Sequence, residues 1–166
     1  MEEFPERAPW QSELDAIVGA RHGGQSAHVL DLLKQLDARY PNVAEINHQL
    51  AWTCDILGRP AEAVTFYEKA VALGLPDNEL AGALLGLGNV LRLVGEIERS
   101  AEVLRTAKLQ FPENPEFDAF LTLTFHEQGR HAEALRLALD LLCERSEDPG
   151  IAAYQRALRY HAARLH

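Results

Sequence analysis

The sequence predicts an all-α fold, an α-α superhelix of four helical hairpins followed by a C-terminal capping helix. Four glycines, Gly24, Gly58, Gly95 and Gly129, are spaced 34, 37 and 34 residues apart. Apolar and small residues recur on both sides of each glycine in steps of three and four, the spacing of one face of an α-helix. No segment shows the strict alternation of a strand. A repeat of this length indicates stacked helix–turn–helix units.

The helix boundaries are predicted from turn signals between the apolar patterns. Gly58 can adopt the left-handed conformation that ends a helix, and Pro60 then fits the first turn of the next helix. Asn114 and Pro115 form a second start signal, with Asn114 as the N-cap and Pro115 just inside the helix. The predicted helices are 10–21, 26–39, 44–57, 60–73, 79–94, 97–110, 115–128, 131–145 and 150–164.

These helices group into a single domain that spans residues 1–166. The three extra residues between Gly58 and Gly95 are placed in the turn-rich stretch 74–78, which can absorb an insertion. The last helix is expected to cap the stack, because a helical solenoid otherwise leaves its final apolar face in water. The predicted repeats are about 10–41, 44–78, 81–114 and 115–148, with the capping helix at 150–164.

Composition limits the partners and the compartment. The 166 residues carry a net charge of −9, which opposes binding to nucleic acid and favours a basic partner. The acidic start Met1–Glu6 lacks the pattern of a secretory signal, and no apolar run is long enough to cross a membrane. Cys54 and Cys143 show no metal or redox spacing and are expected to be small buried residues. A cytoplasmic protein without a cofactor is expected.

The repeat resembles the tetratricopeptide repeat. The best unit runs from Ala81 to Asn114 and carries Leu87-Gly88, Leu91, Gly95, Ala107 and Pro112 at the family's intervals. Segments around Trp52, Asn89, Leu121 and Tyr154–Tyr160 are similar to a small bacterial subfamily of stand-alone stacks with a terminal helix. The resemblance implies a protein-interaction module and no catalytic activity.

Two local strings have a structural interpretation. His126-Glu127-Gln128-Gly129-Arg130-His131 is close to a zinc-protease signature, but its histidines are five residues apart instead of four. With Gly129 as the turn, the two rings are expected to point apart on the surface, so no metal site is predicted. Gly82, Gly86 and Gly88 lie within a helical pattern and follow no strand, so close helix packing explains them better than a phosphate loop.

A candidate binding surface follows from the resemblance, because the first helix of each pair lines the concave side in similar proteins. The positions three, six and ten residues before each turn glycine are expected to point inward, and in the first repeat they are Leu14, Val18 and Arg21. From the other repeats the predicted partner-binding residues are His48, Trp52, Asp55, Leu85, Asn89, Arg92, Leu123 and His126.

The roles within this set have alternatives. Trp52 is either an exposed anchor for a partner or a core residue packed between adjacent units. Asn89 and Arg92 either bind a peptide backbone or carboxylate or are ordinary solvated residues.

The predicted function is a scaffold that binds a peptide or protein partner in the concave groove. The alternative is self-association as a homodimer, with the groove or one end of the stack filled by a second copy. No nucleophile motif favours an enzyme.

Overall fold

The computed structural model describes residues 7–166, apart from the side chains of residues 22 and 23. Across this range the protein contains nine α-helices, a short 3₁₀ turn and no strand, so the predicted all-α fold class is confirmed. The acidic segment Met1–Glu6 lies outside the described residues. The helices are α1 (Pro9–Gly19), α2 (Ser26–Arg39), α3 (Ala44–Ile56), α4 (Pro60–Leu73), α5 (Asp77–Leu93), α6 (Ile97–Gln110), α7 (Glu116–Glu127), α8 (His131–Arg145) and α9 (Pro149–Ala162).

The predicted boundaries of α2, α4, α6 and α8 coincide with those of the structure. The first helix is shorter than predicted, because α1 ends at Gly19 and the chain continues as a 3₁₀ turn over Ala20–Gly23. Pro60 occupies the first turn of α4, as expected.

Three turn glycines of the repeat, Gly58, Gly95 and Gly129, end the first helix of their hairpins, and Gly24 ends the 3₁₀ turn that follows α1. All four have a positive φ, of 76° at Gly24, 68° at Gly58, 85° at Gly95 and 75° at Gly129. After α3, the amide of Gly58 donates to the Asp55 carbonyl and the amide of Arg59 donates to the Cys54 carbonyl, both at 2.9 Å. This pair of bonds is a Schellman motif, and it recurs after α5 and after α7. The recurring glycine therefore marks a repeated helix stop.

The chain packs as two compact units, with the boundary between Gly86 and Leu87 inside α5. The N-terminal unit contains α1 to α4 and the first part of α5, and α3 packs closely against α4. The predicted single domain over 1–166 stays a prediction. The core residues at the α3–α4 contact are Leu50, Ala51, Cys54, Ala63, Tyr67 and Ala70, each at most 2% exposed.

In the C-terminal unit each helix from α6 onward packs against the next one. The capping helix α9 lies against α8, as predicted. The N-cap of α9 is Asp148, whose carboxylate accepts a hydrogen bond from the Ile151 amide at 3.0 Å. Buried core residues of this unit include Leu91, Leu104, Ala107, Phe117, Leu121 and Ala134.

Two of the three glycines in α5 admit a large side chain from another helix. A Cβ atom on Gly86 would overlap the Cζ and hydroxyl atoms of Tyr67, and one on Gly88 would lie 2.5 Å from Cγ and Cδ2 of Leu104. Gly82 has no neighbour within 4 Å of such a Cβ atom. Close packing therefore explains Gly86 and Gly88, whereas the same prediction is wrong for Gly82.

The three extra residues of the middle repeat lengthen a helix instead of a loop. The equivalent helices α3 and α7 have 13 and 12 residues, whereas α5 has 17 and already begins at Asp77. The prediction of an enlarged turn over 74–78 is therefore wrong for residues 77 and 78, which belong to α5. Asp77 and Glu79 lie in the first turn of α5, where the helix dipole favours negative charge.

The start of α7 also differs from the prediction. Pro115 holds the N-cap position, and the Asn114 side chain donates to the Glu116 carboxylate at 2.6 Å instead of accepting from a backbone amide. Pro149 occupies the first turn of α9.

Both cysteines are free and buried, Cys54 in the N-terminal unit and Cys143 in the C-terminal unit. Burial is the main cause that raises the pKa of the Cys54 thiol. Cys54 is therefore a small apolar core residue, as its place in the repeat predicts.

Candidate partner-binding surfaces

Trp52 lies on α3 with its ring partly in water. The residue is 43% exposed, while its neighbours Ala51 and Thr53 are fully buried. The guanidinium carbon of Arg21 lies 4.4 Å from the centroid of the Trp52 ring, which is a cation–π contact. Trp52 is therefore not one of the fully packed core residues, although its role as an anchor stays a prediction.

Arg21 is a buried cation that holds this arrangement in place. It is only 6% exposed, and its Nη2 donates to Gln49 Oε1 at 2.9 Å and to Thr53 Oγ1 at 3.0 Å. Its Nε and Nη1 atoms have no hydrogen-bond partner in the part of the chain that the structure describes. Burial lowers the pKa of Arg21, and the nearby Tyr67 opposes this shift. Arginine nevertheless remains charged in proteins.

Asp55 follows Trp52 on α3 and carries a carboxylate that is half-buried. This burial raises the pKa of the Asp55 carboxyl group. Among residues 7–166 no side chain forms a hydrogen bond or ion pair with it. A cationic group brought by a partner would relieve the cost of keeping this charge partly dehydrated.

His48 and Leu85 are less accessible than Trp52. The His48 Nδ1 atom lies 3.0 Å from Glu79 Oε2, and only 12% of the His48 side chain is exposed. The His48 ring also lies 6.1 Å from the ring of Tyr67. Leu85 is half-buried. Of the predicted residues in the N-terminal unit, Trp52 therefore offers the largest exposed apolar area.

In the C-terminal unit Asn89 and Arg92 form a hydrogen bond with each other. The Arg92 Nη2 atom donates to Asn89 Oδ1 at 2.9 Å, and Nη1 pairs with Glu127 Oε1 at 2.6 Å. Only 16% of the Arg92 side chain is exposed. A carboxylate from a partner would therefore have to compete with Glu127 for this guanidinium group.

His126 lies beside His131, across the turn between α7 and α8. The two Nδ1 atoms are 3.0 Å apart, and the ring centroids are 4.7 Å apart. The prediction that these rings point apart is wrong, because the turn at Gly129 folds α8 back toward α7. Leu123, on the same helix as His126, is 46% exposed. Within the described range, no group of three or more His, Cys, Asp or Glu side chains is placed to hold a metal ion.

Sequence reasoning missed the partners of these residues, although the repeat period contained a signal for two of them. Glu79 follows its partner His48 by 31 residues, and Glu127 follows Arg92 by 35. Both intervals are close to one repeat, so they connect the first helices of successive hairpins. Arg21 was expected on the inward face, but its burial had no signal in the sequence.

Comparison with known families decides the classification. The sequence profile described as tetratrico peptide repeat matches residues 44–165. The chain belongs to the tetratricopeptide repeat family. The match begins at the first residue of α3, so α1 and α2 lie before it. No curated protein has a significant sequence match to this tetratricopeptide repeat protein.

Several solved structures share the fold. MamA (residues 41 to the end) from Desulfovibrio magneticus RS-1 superposes with a TM-score of 0.70 at 18% identity, over 96% of this chain and 92% of that chain. PilF of Pseudomonas aeruginosa gives 0.68 at 20% identity, over 93% and 69%. YrrB, described as a TPR protein with an unusual peptide-binding site, gives 0.70 at 15% identity, over 97% and 79%. At these sequence identities the similarity shows only that this tetratricopeptide repeat protein shares their fold.

Among the helices that the structure describes, none is both long and apolar enough to cross a membrane.

Proposed function

We propose that this tetratricopeptide repeat protein is a non-catalytic interaction module that binds a segment of a protein partner. In the N-terminal unit the binding surface combines the exposed face of α3, with Trp52 as its anchor and His48 and Asp55 on the same helix, with Leu85 of α5. Family membership supports the general role of a protein-interaction scaffold. The observation that carries the specific proposal is the half-exposed Trp52 ring fixed beneath a buried arginine.

The energetic argument concerns the Trp52 ring. Large aromatic side chains dominate binding energy because they bury much apolar area and lose few rotatable bonds. Contact with Arg21 restricts the ring before a partner arrives, so less conformational entropy is lost on binding. An exposed tryptophan without such support would have to order during binding.

Charge indicates the chemistry of the partner. Residues 1–86 contain six basic and 13 acidic residues, a net charge of −7. The unpaired Asp55 carboxylate is the acidic group on α3 that a partner cation would reach beside Trp52. We therefore expect the bound segment to combine an apolar side chain for Trp52 with a lysine or arginine for Asp55.

Asn89, Arg92, Leu123 and His126 form a second proposed surface, in the C-terminal unit. Here the exposed apolar group is Leu123, while Arg92 is already paired with Glu127. This surface is therefore expected to contribute less binding energy than the surface around Trp52.

A peptide selection tests the proposal without knowledge of the natural partner. A phage library of random linear peptides is selected against the wild-type protein, and the enriched peptides are synthesised with a fluorescent label. Fluorescence anisotropy then gives Kd for the wild type, for Trp52→Ala and for the matched control Leu109→Ala, which removes an apolar side chain that is 84% exposed. We expect Trp52→Ala to weaken binding by at least about tenfold, or about 1.4 kcal/mol, and Leu109→Ala to leave Kd unchanged.

Three outcomes contradict the proposal. Enriched peptides that bind Trp52→Ala as tightly as the wild type would place the binding surface elsewhere. A library that yields no binder would argue against a linear segment as the ligand. Loss of the helical circular dichroism signal in Trp52→Ala would make Trp52 a core residue, and Trp52→Phe then provides the test in a folded protein.

We also propose a cytoplasmic location. Its support is that Cys54 and Cys143 are both free thiols, since oxidising compartments favour disulfides.

A further inference from the structure

His126 and His131 form a pair of imidazole rings on the surface of the C-terminal unit. Both residues are exposed, and their Nδ1 atoms lie 3.0 Å apart. Within residues 7–166 neither ring pairs with a carboxylate. The sequence predicts no metal site because the rings are expected to point apart, so their contact removes the reason for that expectation. Histidine nitrogen is a common ligand of transition metals.

The two distances within the pair fit two ligands of one ion. If Nδ1 atoms 3.0 Å apart each bind an ion at about 2.1 Å, the centroids of their rings lie about 4.6 Å apart. The observed separation of the ring centroids is 4.7 Å. Rings that faced each other nitrogen to nitrogen in one line would have centroids farther apart. The distances therefore agree with two nitrogens that are directed at a common point.

The angle at that point indicates which ions fit. With both nitrogens about 2.1 Å from the ion, their separation of 3.0 Å corresponds to an angle of about 90° at the ion. Square-planar and tetragonal sites, which Cu²⁺ and Ni²⁺ prefer, have neighbouring ligands at right angles, whereas a tetrahedral Zn²⁺ site needs a wider angle. Water would hold the remaining positions, since the described residues offer no set of three His, Cys, Asp or Glu ligands.

The backbone of the turn between α7 and α8 holds the pair in place. The Gly129 amide donates to the His126 carbonyl at 3.0 Å, and the Arg130 amide donates to the Phe125 carbonyl at 2.9 Å. His131 is the first residue of α8. Two ligands that are close together before binding lose little entropy when an ion joins them.

The charges around the pair leave room for a cation. Arg130 lies between the two histidines in the sequence, but its Nε and Nη2 atoms donate to the Glu133 carboxylate at 2.7 and 2.5 Å. This carboxylate offsets the charge of the arginine. The dipole of α7 favours positive charge at His126, and the dipole of α8 opposes it at His131. The affinity for an ion therefore comes from the imidazoles and not from the helix ends.

We infer that His126 and His131 chelate one divalent transition-metal ion of tetragonal geometry, Cu²⁺ or Ni²⁺, through their Nδ1 atoms. The ion replaces the hydrogen bond between the rings, and the proton of that bond moves to Nε2 of the donor ring, so both imidazoles stay neutral. The bound ion links the end of α7 to the start of α8 and stabilises the folded C-terminal unit. The site does not depend on the Trp52 surface.

Isothermal titration calorimetry of the protein without a purification tag tests this inference. Titration with NiCl₂ is expected to show one ion per chain. His126→Ala and His131→Ala are each expected to weaken Ni²⁺ binding by at least about tenfold, because a single imidazole lacks the chelate effect. The matched control His161→Ala/His166→Ala removes two histidines of the same unit that are also five residues apart, and it is expected to leave Kd unchanged.

Two further measurements locate the ion. Paramagnetic Cu²⁺, added below one equivalent, is expected to broaden the ring proton signals of His126 and His131 first in NMR spectra. Cys54 and Cys143 are buried and do not compete for the ion. An excess of Ni²⁺ is expected to raise Tm of the wild type and of the control, but not of either single variant, because only the folded pair chelates. Circular dichroism spectra confirm that each variant is folded.

Other results overturn the inference. A wild type that binds neither Ni²⁺ nor Cu²⁺ below about 1 mM lacks the site. Equal Ni²⁺ affinity in the wild type and both single variants would show that the two rings share only a hydrogen bond. Loss of binding in the control variant would place the ion at the C-terminus of the chain. Zn²⁺ binding as tight as Cu²⁺ binding would contradict the tetragonal geometry.

Discussion

Gly86 and Gly88 lie two residues apart on α5 and make room for different kinds of side chain. In the N-terminal unit Gly86 faces the phenol end of Tyr67, and in the C-terminal unit Gly88 faces the branched end of Leu104. Burial raises the pKa of Tyr67, and the charge of Asp55 adds to this shift. Leu104 is wholly apolar and fully buried.

The surroundings of the two glycines differ as well. Gly88 is buried, and its carbonyl accepts a hydrogen bond from Ser100 Oγ at 2.6 Å, whereas Gly86 is only half-buried. A glycine thus faces a buried leucine and is itself buried in one unit, whereas in the other it faces a buried tyrosine and is itself only half-buried. The difference predicts unequal tolerance to an added methyl group.

Among the glycine substitutions in α5, the largest effect is expected at Gly88. Gly88→Ala forces the new Cβ atom into Leu104, and overpacking of this kind costs about 1–3 kcal/mol of unfolding free energy. Gly86→Ala is expected to cost less, because its new Cβ atom meets the far end of the long Tyr67 side chain, whereas at Gly88 it meets Cγ of Leu104, one bond from that residue's own Cβ atom. Urea unfolding followed by circular dichroism measures both values.

A coupled variant shows whether Leu104 causes the cost at Gly88. Leu104→Ala alone lowers stability by about 2–5 kcal/mol. If the clash is responsible, adding Gly88→Ala to Leu104→Ala costs at least about 0.5 kcal/mol less than it does in the wild type. Equal costs in both backgrounds would show that the restriction at Gly88 comes from the backbone.

Gly82 in the same helix is the matched control and is expected to respond in the opposite direction. It is exposed, and an added Cβ atom meets nothing within 4 Å. Gly82→Ala should therefore raise the unfolding free energy by about 0.5–1 kcal/mol through better helix propensity. A lower unfolding free energy for Gly82→Ala would mean that α5 tolerates no added methyl group. The costs at Gly86 and Gly88 could then not be attributed to Tyr67 and Leu104.

The smallest expected effect concerns Asp55, which lies near Tyr67. Burial raises the folded-state pKa of Asp55, so the folded protein favours its protonated form, and wild-type stability is lost as the pH rises through that pKa. Asp55→Asn is therefore expected to raise Tm at about pH 7 but not at about pH 3, where the carboxyl group is protonated in both folded and unfolded chains.

Calorimetric scans at the two pH values provide this measurement. An equal change of Tm at both values would contradict the explanation based on charge. If Asp55→Asn stabilises the protein and also weakens its binding of a lysine-containing peptide, the Asp55 charge favours binding at some cost in stability.

The repeat pattern made most of the fold predictable, because the glycines that end helices and the apolar faces of the helices recur at the same interval. Gly58, Gly95 and Gly129 each end a helix with the same pair of backbone hydrogen bonds. The wrong predictions about the fold concern local features, such as the start of α5. Asp77 and Asn78 are common turn residues, but the tertiary structure extends α5 through both of them.

The candidate site was less predictable because its contacts join distant residues. The positions of Trp52 and Arg92 on their helices follow from the period. To predict the contact of Arg21 with Trp52, by contrast, the sequence would have to show that this arginine is buried and not solvated. The contact between His126 and His131 depends on the path of a tight turn, which residue spacing alone does not give.

The two cysteines give each unit its own chemical probe. Cys54 and Cys143 are 0% and 5% exposed, so a thiol reagent reaches either one only when the surrounding helices open. The labelling rate of each thiol therefore reports the opening equilibrium of one unit, without any engineered residue. Equal rates would show that the two units, whose boundary lies inside α5, unfold together in one cooperative event.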